Sequence, residues 1–328
     1  MSPLEIAQIA LYIGLLIVLT PLLGGYMYRV FDGRRTFLSP VLEPVERIIY
    51  RLCGVRPDEE QRWQQYTLAL LAFNVLGFLF LMALPLLQGI LPFNPEGLPN
   101  VERFLACNTA TSFMTNTNWQ SYAGETTMSQ LTQMLGLGVQ NFLSAATGIV
   151  VVLALTRGLA RRSATTLGNF WADLVRGTLY VLLPLSLIFA LVLVSQGVVQ
   201  NFNANVTTTT LTGETQVLPQ GPAASQIAIK QLGSNGGGFF NANSAHPYEN
   251  PTPLTNFLEM FALLFIAAAL TNTYGRLVGS QRQGWVIFAA MLILLAALLG
   301  VMLLAEYSHN PVLGVAGAME GKETRFGV

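Results

Sequence analysis

Long apolar runs constrain the fold of this chain more than any other feature of its sequence. Six runs approach the roughly 20 residues that a helix needs to cross a bilayer. Only 10% of the 328 residues are charged, against about 25% in a typical soluble domain. The sequence therefore predicts an all-α polytopic membrane protein. The predicted spans are 6–24, 66–91, 134–155, 174–195, 254–272 and 285–305.

The positions of the basic residues predict how these spans are oriented. Of the 17 Lys and Arg residues, 12 fall in the alternate segments 25–64, 156–172 and 273–284. Loops rich in Lys and Arg stay in the cytoplasm, so the N-terminus is predicted to be extracytoplasmic, with Cys53 and Cys107 on opposite sides of the membrane. The loops on the opposite side hold only Arg103, Lys230, Lys322 and Arg325.

The balanced net charge excludes a disordered or nucleic-acid-binding protein.

Two of the predicted outer loops repeat one pattern. In the first, the short apolar stretch 101–114 predicts a half-length helix, which leads into the uncharged polar segment 115–121. In the second, a Thr-rich, hairpin-like stretch at 201–218 precedes a short helix at 222–232 and the glycine-rich segment 233–238. Both loops then return the chain to another span. The pattern predicts a unit of span, re-entrant helix, return loop and span that occurs twice.

The return loops have the chemistry of a monovalent cation path. Aligned at the ends of the short helices, Asn116-Thr117-Asn118 stands beside Gly233-Ser234-Asn235. Irregular backbone at membrane depth is tolerated only inside protein or against a wet cavity, and inward-pointing helix ends favour a cation. Carbonyl, Thr, Ser and Asn oxygens suit a weakly hydrated ion such as K⁺, whereas divalent ions need carboxylates. The competing interpretation is that these are ordinary connecting loops; their matching positions favour the ion path.

Four motifs, at 108–122, 140–146, 232–244 and 319–327, make the sequence recognisable. With them, essentially the whole chain resembles the KdpA family, the potassium-translocating subunits of bacterial Kdp potassium-transporting ATPases. The resemblance implies the fold of the superfamily of K⁺ transporters, in which four units of span, pore helix and span surround one selectivity filter. It also implies a location in the bacterial inner membrane and K⁺ as the transported ion, with no ATP bound by this chain.

The resemblance also carries filter positions and partners over to this chain. By motif, 115–119 is the first filter strand, Gln120 is the neighbour that matters for K⁺ affinity, and 233–236 matches the second strand. Family members pass K⁺ to KdpB, a P-type ATPase subunit, and assemble with KdpC and the small KdpF. The basic segment 25–64 is expected to meet lipid headgroups or this ATPase. The implied K⁺-binding positions are Thr115, Asn116, Thr117, Asn118, Gln120, Gly233, Ser234, Asn235 and Gly236.

The chain stops at Val328, where the resemblance places a third pore helix. Two of four filter strands and four of ten spans are then absent, so we expect a truncated part of a longer chain or a half-subunit completed by a second polypeptide. A non-transporting scaffold or fragment and a passive K⁺ channel remain alternatives. The predicted parts are 1–64, the first span and basic segment; 65–160 and 161–278, the two repeats; and 279–328, the start of a third.

Several polar residues outside the filter motifs have simpler interpretations. His246 and His309 lack further ligands at metal-binding spacing and are expected to be structural. Glu259, one turn into a span, is expected to have a partner in the bundle interior or at its lip rather than to relay ions. Gln140 and Asn141 could line the conduit, but interhelical hydrogen bonds are the favoured expectation for both. The sequence shows no nucleophile-base set and no Asp-Lys-Thr-Gly motif, so no catalytic residue is expected and ATP hydrolysis is assigned to another chain.

Overall fold

The computed structural model describes residues 3–161 and 165–307, which lie mostly in helices. Six of these helices are long and apolar enough to cross a membrane, and they confirm the six predicted spans. His309 and the motif at 319–327 lie outside the described residues. The helices are α1 (Pro3–Phe31), α2 (Ser39–Cys53), α3 (Trp63–Leu87), α4 (Arg103–Met114), α5 (Gly124–Thr127), α6 (Thr132–Ala160), α7 (Phe170–Ser195), α8 (Ala223–Leu232), α9 (Pro253–Leu277) and α10 (Gln281–Tyr307).

Short irregular elements interrupt this helical pattern. Helix α6 begins with the π-helical segment Thr132–Gly138, and α7 contains another at Gly177–Leu182. Strands β1 (Val206–Thr209) and β2 (Thr215–Leu218) pair as an antiparallel hairpin, which confirms the hairpin predicted for the Thr-rich stretch. A 3₁₀ turn at Asn243–Ala245 follows the glycine-rich segment.

The described chain divides into two compact units, and the first comprises the residues up to Tyr28 and from Ala267 onward. Within this unit, a Cβ added to Gly24 of α1 would lie 2.7 Å from the carbonyl oxygen of Ala269 in α9. The Thr273 hydroxyl donates a hydrogen bond of 3.1 Å to the Gly24 carbonyl. A small residue at this position therefore allows close helix packing, as is common between membrane helices. The predicted division into repeats follows chain order and stays a prediction.

The second unit, Arg29–Ile266, contains both return loops. Each short helix packs against the span before it, α4 against α3 and α8 against α7. The contact surfaces use alanines at matched positions, Ala106 and Ala110 in α4 and Ala224 and Ala228 in α8, all of them fully buried. The two predicted half-length helices are thus confirmed, and both are held by the same small-residue face.

Helix α2 was missed by the sequence analysis, which assigned this part of the chain only to a basic segment. Gly54, with a left-handed φ of 65°, ends the helix. One face buries Glu46 and Tyr50 against the protein, while an apolar stripe on another face is exposed. An apolar stripe on a charged helix is typical of a helix that lies at a membrane surface. The stripe consists of Val41, Val45, Ile48 and Leu52.

Glu46 anchors α2 to α7. Its Oε1 accepts hydrogen bonds from the Tyr50 hydroxyl at 2.7 Å and from Arg176 Nε at 2.9 Å, and its Oε2 accepts one from the Tyr180 hydroxyl at 2.7 Å. Burial raises the pKa of Glu46, but these hydrogen bonds outweigh burial and hold the pKa below its ordinary value. The arrangement explains how Arg176, a charge within the predicted fourth span, is tolerated: it has a buried carboxylate partner.

Candidate ion-binding loops

The two return loops leave their short helices with the same backbone geometry. Helix α4 ends at Met114 and α8 at Leu232, and Thr115 and Gly233 cap them. In each loop three successive N–H groups donate back to carbonyls of the last helical turn, four, three and five residues earlier. In the first loop these hydrogen bonds run from Thr115 to Thr111 (3.1 Å), from Asn116 to Phe113 (3.3 Å) and from Thr117 to Ser112 (3.0 Å). In the second loop they run from Gly233 to Ile229 (2.8 Å), from Ser234 to Gln231 (3.2 Å) and from Asn235 to Lys230 (2.9 Å).

This geometry corrects the predicted register of the loops by one residue. The sequence alignment paired Asn118 with Asn235, whereas the backbone pairs Asn116 with Ser234 and Asn118 with Gly236. Both structural pairs have left-handed backbone, with φ values of 61° and 52° in the first pair and 54° and 105° in the second. Alignment by residue type failed because Asn and Gly both tolerate this conformation, so different residues occupy matched positions.

Gln120 joins the two loops directly. Its Nε2 donates a hydrogen bond of 2.9 Å to the carbonyl of Gly238, and its Oε1 accepts one of 3.0 Å from the N–H of the same residue. The two residues are 118 positions apart, the same offset that relates the matched helix caps. One side-chain amide therefore binds both backbone groups of the equivalent position in the other loop.

The asparagine side chains also bind protein groups. Asn116 Oδ1 accepts hydrogen bonds from Ser144 Oγ, at 2.7 Å, and from the side-chain amide of Asn235. The side-chain amide of Asn118 donates to Asn141 Oδ1 in α6. The interhelical partner predicted for Asn141 is therefore wrong: this residue holds the first return loop. The side-chain oxygen of Asn116 is thus occupied by protein donors, whereas that of Asn118 is buried without a hydrogen-bond partner among the described residues.

Two glycines allow the loops to touch. A Cβ on Gly237 would lie 2.8 Å from the carbonyl oxygen of Asn118, and one on Gly236 would lie 3.3 Å from that of Thr117. Both glycines have positive φ, 105° at Gly236 and 64° at Gly237. Side chains are disfavoured at such φ values, and at Gly237 a side chain would also clash with backbone. The first loop therefore lies against the bare backbone of the second.

Uncharged oxygens line the open side of the paired loops. The hydroxyls of Thr115 and Thr117 lie 3.0 Å apart, and the Ser234 hydroxyl donates to the Leu263 carbonyl of α9 at 2.6 Å. Within residues 3–161 and 165–307, no group of three or more His, Cys, Asp and Glu side chains could hold a metal ion. The donors suit a weakly hydrated monovalent cation. Of the implied positions, Thr115, Thr117, Ser234 and Gly236 are exposed, Asn116 and Gln120 are half-buried, and Asn118, Gly233 and Asn235 are buried.

The short helices direct negative dipole ends at the loops. At the start of α4, Glu102 accepts hydrogen bonds from the N–H groups of Phe104, at 2.8 Å, and Leu105, at 3.0 Å, which lower the pKa of its carboxyl. The carboxylate therefore stabilises the positive end of this helix dipole. The negative ends lie at Met114 in α4 and Leu232 in α8, where the return loops begin, and both favour a cation there.

Behind the second loop lies an ion pair that the sequence analysis missed, because it treated Lys230 only as a basic residue of an outer loop. Lys230 is 1% exposed and pairs with Glu249, which is 0% exposed. The Lys230 Nζ also donates to the Gly237 carbonyl at 2.9 Å. A single charge in an otherwise uncharged short helix was the available signal, since a buried lysine needs a partner.

Three further expectations concern residues near this loop. The ring of His246 stacks on Phe240 with centroids 4.5 Å apart, and burial lowers its pKa. These contacts are typical of a structural histidine, and that role stays a prediction. Glu259 is buried, and its Oε2 accepts a hydrogen bond of 2.7 Å from Gln231 Nε2. The partner in the bundle interior predicted for Glu259 is therefore confirmed. The interhelical hydrogen bond expected for Gln140 is not found at its side-chain amide nitrogen, which has no hydrogen-bond partner in the described part of the chain.

Comparison with known proteins connects these loops to one family. The family model described as "KdpA: Potassium-transporting ATPase A subunit" matches residues 10–328. A "Potassium-transporting ATPase potassium-binding subunit" of Rhodospirillum centenum is 64% identical over 326 residues, covering 98% of this chain and 57% of the relative. Proteins of the same name from Sorangium cellulosum and Brucella anthropi are 56% and 57% identical over 98% of this chain. The chain spans less than three fifths of the length of these relatives, at 57% to 59%.

Proposed function

Because the chain belongs to the KdpA family of potassium-transporting ATPase A subunits, we propose that it binds K⁺ and moves it across the membrane in an ATP-driven, high-affinity uptake system. The observation that carries this proposal is the pair of matched, uncharged loops, joined through Gln120 and Gly238 at the negative ends of two helices. Their neutral oxygens suit K⁺. The names of the relatives, which specify potassium binding, support the choice of ion.

In this proposal the chain provides two strands of a selectivity filter that binds extracytoplasmic K⁺. The proposed ligands are backbone carbonyl and hydroxyl oxygens of 115–118 and 233–236, with Gln120 holding the strands together. ATP is hydrolysed by a KdpB-like P-type ATPase that receives the ion, and KdpC-like and KdpF-like subunits complete the complex. The absence of an Asp-Lys-Thr-Gly motif from the sequence supports this division of labour.

The family and the six apolar helices make this a multi-pass membrane protein. Its proposed location is the bacterial inner membrane, with the N-terminus extracytoplasmic and α2 on the cytoplasmic surface. The exposed apolar stripe of α2 supports direct contact with lipid, and the arginines around it suit anionic headgroups.

We expect K⁺ to stabilise the protein specifically. A ligand that binds only the native state at 100 times its Kd adds about 2.7 kcal/mol to the free energy of unfolding. The measurement is thermal unfolding of the purified chain, extended to the full length of its relatives, in K⁺ and in Na⁺ at equal ionic strength. Equal midpoints in the two salts would favour the scaffold alternative, whereas passive K⁺ flux in liposomes without ATP would favour the channel.

The two native cysteines can test the proposed orientation. Both are free, with Cys53 exposed and Cys107 half-buried. In a Cys107→Ser variant, we expect a membrane-impermeant maleimide to label Cys53 only after spheroplasts are permeabilised. As the control, Thr212→Cys in the hairpin, placed in a cysteine-free background, should be labelled in intact spheroplasts. Labelling of Cys53 in intact spheroplasts would reverse the orientation.

A further inference from the structure

The buried ion pair behind the second return loop does more than neutralise two charges. The ammonium of Lys230 and the carboxylate of Glu249 are in direct contact. Each group also binds the backbone of the loop: Lys230 Nζ donates to the Gly237 carbonyl at 2.9 Å, and Glu249 Oε1 accepts from the Phe240 N–H at 2.8 Å. Because both hydrogen bonds involve charged groups in a buried site, they are stronger than ordinary backbone contacts.

Lys230 holds the loop at two points. Its own carbonyl accepts a hydrogen bond of 2.9 Å from the Asn235 N–H, and its side chain binds the Gly237 carbonyl. Between these anchors lies Gly236, an exposed position in the left-handed region. The Gly237 carbonyl is directed at a buried ammonium, so it is turned away from the exposed side of the loop.

The first loop is anchored in a different way, which indicates why the second needs a lysine. At the position of Asn118, whose side chain binds Asn141, the second loop has Gly236 and therefore no side chain to bind. The residue that matches Lys230 at the offset of 118 is Ser112, whose carbonyl accepts the Thr117 N–H at 3.0 Å. Both loops thus share the hydrogen bond to a helix carbonyl. In the second loop the Lys230 side chain supplies the additional anchor, because Gly236 has no side chain that could do what Asn118 does in the first loop.

We propose that Lys230 is a positioning residue of the K⁺ site: by holding the Gly237 carbonyl towards the protein interior, it determines which oxygens of the second loop face the ion. This inference rests on the proposed K⁺ binding. Without the anchor, the peptide between Gly237 and Gly238 keeps the hydrogen bond from its N–H to Gln120 but loses the one to its carbonyl, which can then tilt towards the ion. A cage of carbonyls selects K⁺ over Na⁺ only while the number and position of its oxygens are fixed. Glu249 balances the ammonium, which otherwise would repel the bound cation.

The test removes both charges together. In the double variant Lys230→Met/Glu249→Gln neither member of the pair is left as an unpaired charge, and the new amide oxygen at 249 still accepts from the Phe240 N–H. K⁺ and Na⁺ titrations of the unfolding midpoint, on the chain extended to the length of its relatives, give an apparent Kd for each ion. We expect the K⁺ Kd to rise about tenfold, the effect of losing one hydrogen bond to a charged group, and the K⁺/Na⁺ affinity ratio to fall by a similar factor.

Two further variants keep the test decisive. The matched control is Arg56→Met/Glu59→Gln, which neutralises an exposed ion pair of 2.8 Å far from the loop in sequence and should leave both Kd values unchanged. If the Lys230 double variant does not fold, Lys230→Arg retains the charge pair. It should still lower the K⁺/Na⁺ ratio, because a guanidinium donates from a rigid fork rather than from one point.

The possible outcomes distinguish a failure of the role proposed for Lys230 from a failure of the proposed K⁺ binding. A K⁺-specific midpoint shift in the wild-type protein with an unchanged K⁺/Na⁺ ratio in the variant overturns the role of Lys230 alone. An equal loss of K⁺ and Na⁺ affinity also overturns it, since that result shows general weakening rather than positioning. Absence of any K⁺-specific shift in the wild-type protein overturns the proposed function together with this inference.

Discussion

Gly237→Ala should abolish high-affinity K⁺ binding and destabilise the native protein by about 2 to 5 kcal/mol. A non-glycine residue in the left-handed region costs about 1 to 2 kcal/mol. The added Cβ would also lie 2.8 Å from the Asn118 carbonyl oxygen, and such overpacking costs about 1 to 3 kcal/mol. Since the clash is with backbone rather than with a flexible side chain, the loops must move apart. Thermal unfolding with and without K⁺ measures both effects.

The chain offers a matched control for this substitution. Gly213, in the hairpin turn, has a φ of 87° but no atom within 4 Å of a built Cβ. Gly213→Ala therefore isolates the conformational cost, about 1 to 2 kcal/mol, and should leave K⁺ affinity unchanged. If Gly237→Ala proves no worse than Gly213→Ala in stability and K⁺ affinity, the close contact between the two return loops is not required.

The second large effect is expected from Gln120→Arg. The substitution replaces the amide that binds both backbone groups of Gly238 with a fixed positive charge between the loops. A unit charge about 5 Å from a bound cation, at an effective dielectric constant of about 20, costs about 3 kcal/mol. Apparent K⁺ affinity should therefore fall on the order of 100-fold. Growth at limiting K⁺, in a strain that depends on the complete transporter, measures this loss.

Two comparison variants show whether charge or geometry is responsible. Gln216→Arg adds the same charge to an exposed position of β2 and should leave growth unaffected. Gln120→Leu removes the bridge without adding charge, so we expect an intermediate loss of affinity. Normal growth of the Gln120→Arg strain at limiting K⁺ would be inconsistent with a K⁺ site at these loops.

Much of the architecture could be predicted because it depends on local composition. Spans are long apolar runs, and the short helices and the hairpin are bounded by clear changes in polarity. The expected partner of Glu259 followed from a general rule, since a carboxylate inside a helix bundle must be hydrogen-bonded. The actual partner, Gln231, is 28 residues away in the chain, and nothing in the sequence singled it out.

Other features depended on backbone conformation and on side-chain contacts that local composition does not reveal. Helix α2 escaped prediction because its polar face is buried on α7 through Glu46, while its short apolar stripe resembles no span. The loop register was predicted one residue out because φ, not residue type, sets the match between Asn118 and Gly236. In the sequence, Lys230 is one basic residue among several in the outer loops; its partners, Glu249 and the Gly237 carbonyl, meet it only in the folded loop.

Local composition is enough to predict a membrane protein with six spans and two uncharged return loops, because transfer into lipid is governed by the summed apolarity of local segments. The way those loops are held, in contrast, depends on side chains and backbone groups that meet only in the folded protein. Gln120 of the first loop binds Gly238 of the second, Asn118 binds Asn141 of α6, and Lys230 of α8 binds the Gly237 carbonyl. Such hydrogen bonds depend on atoms meeting within about 3 Å, and that proximity is set by packing rather than by the order of residues.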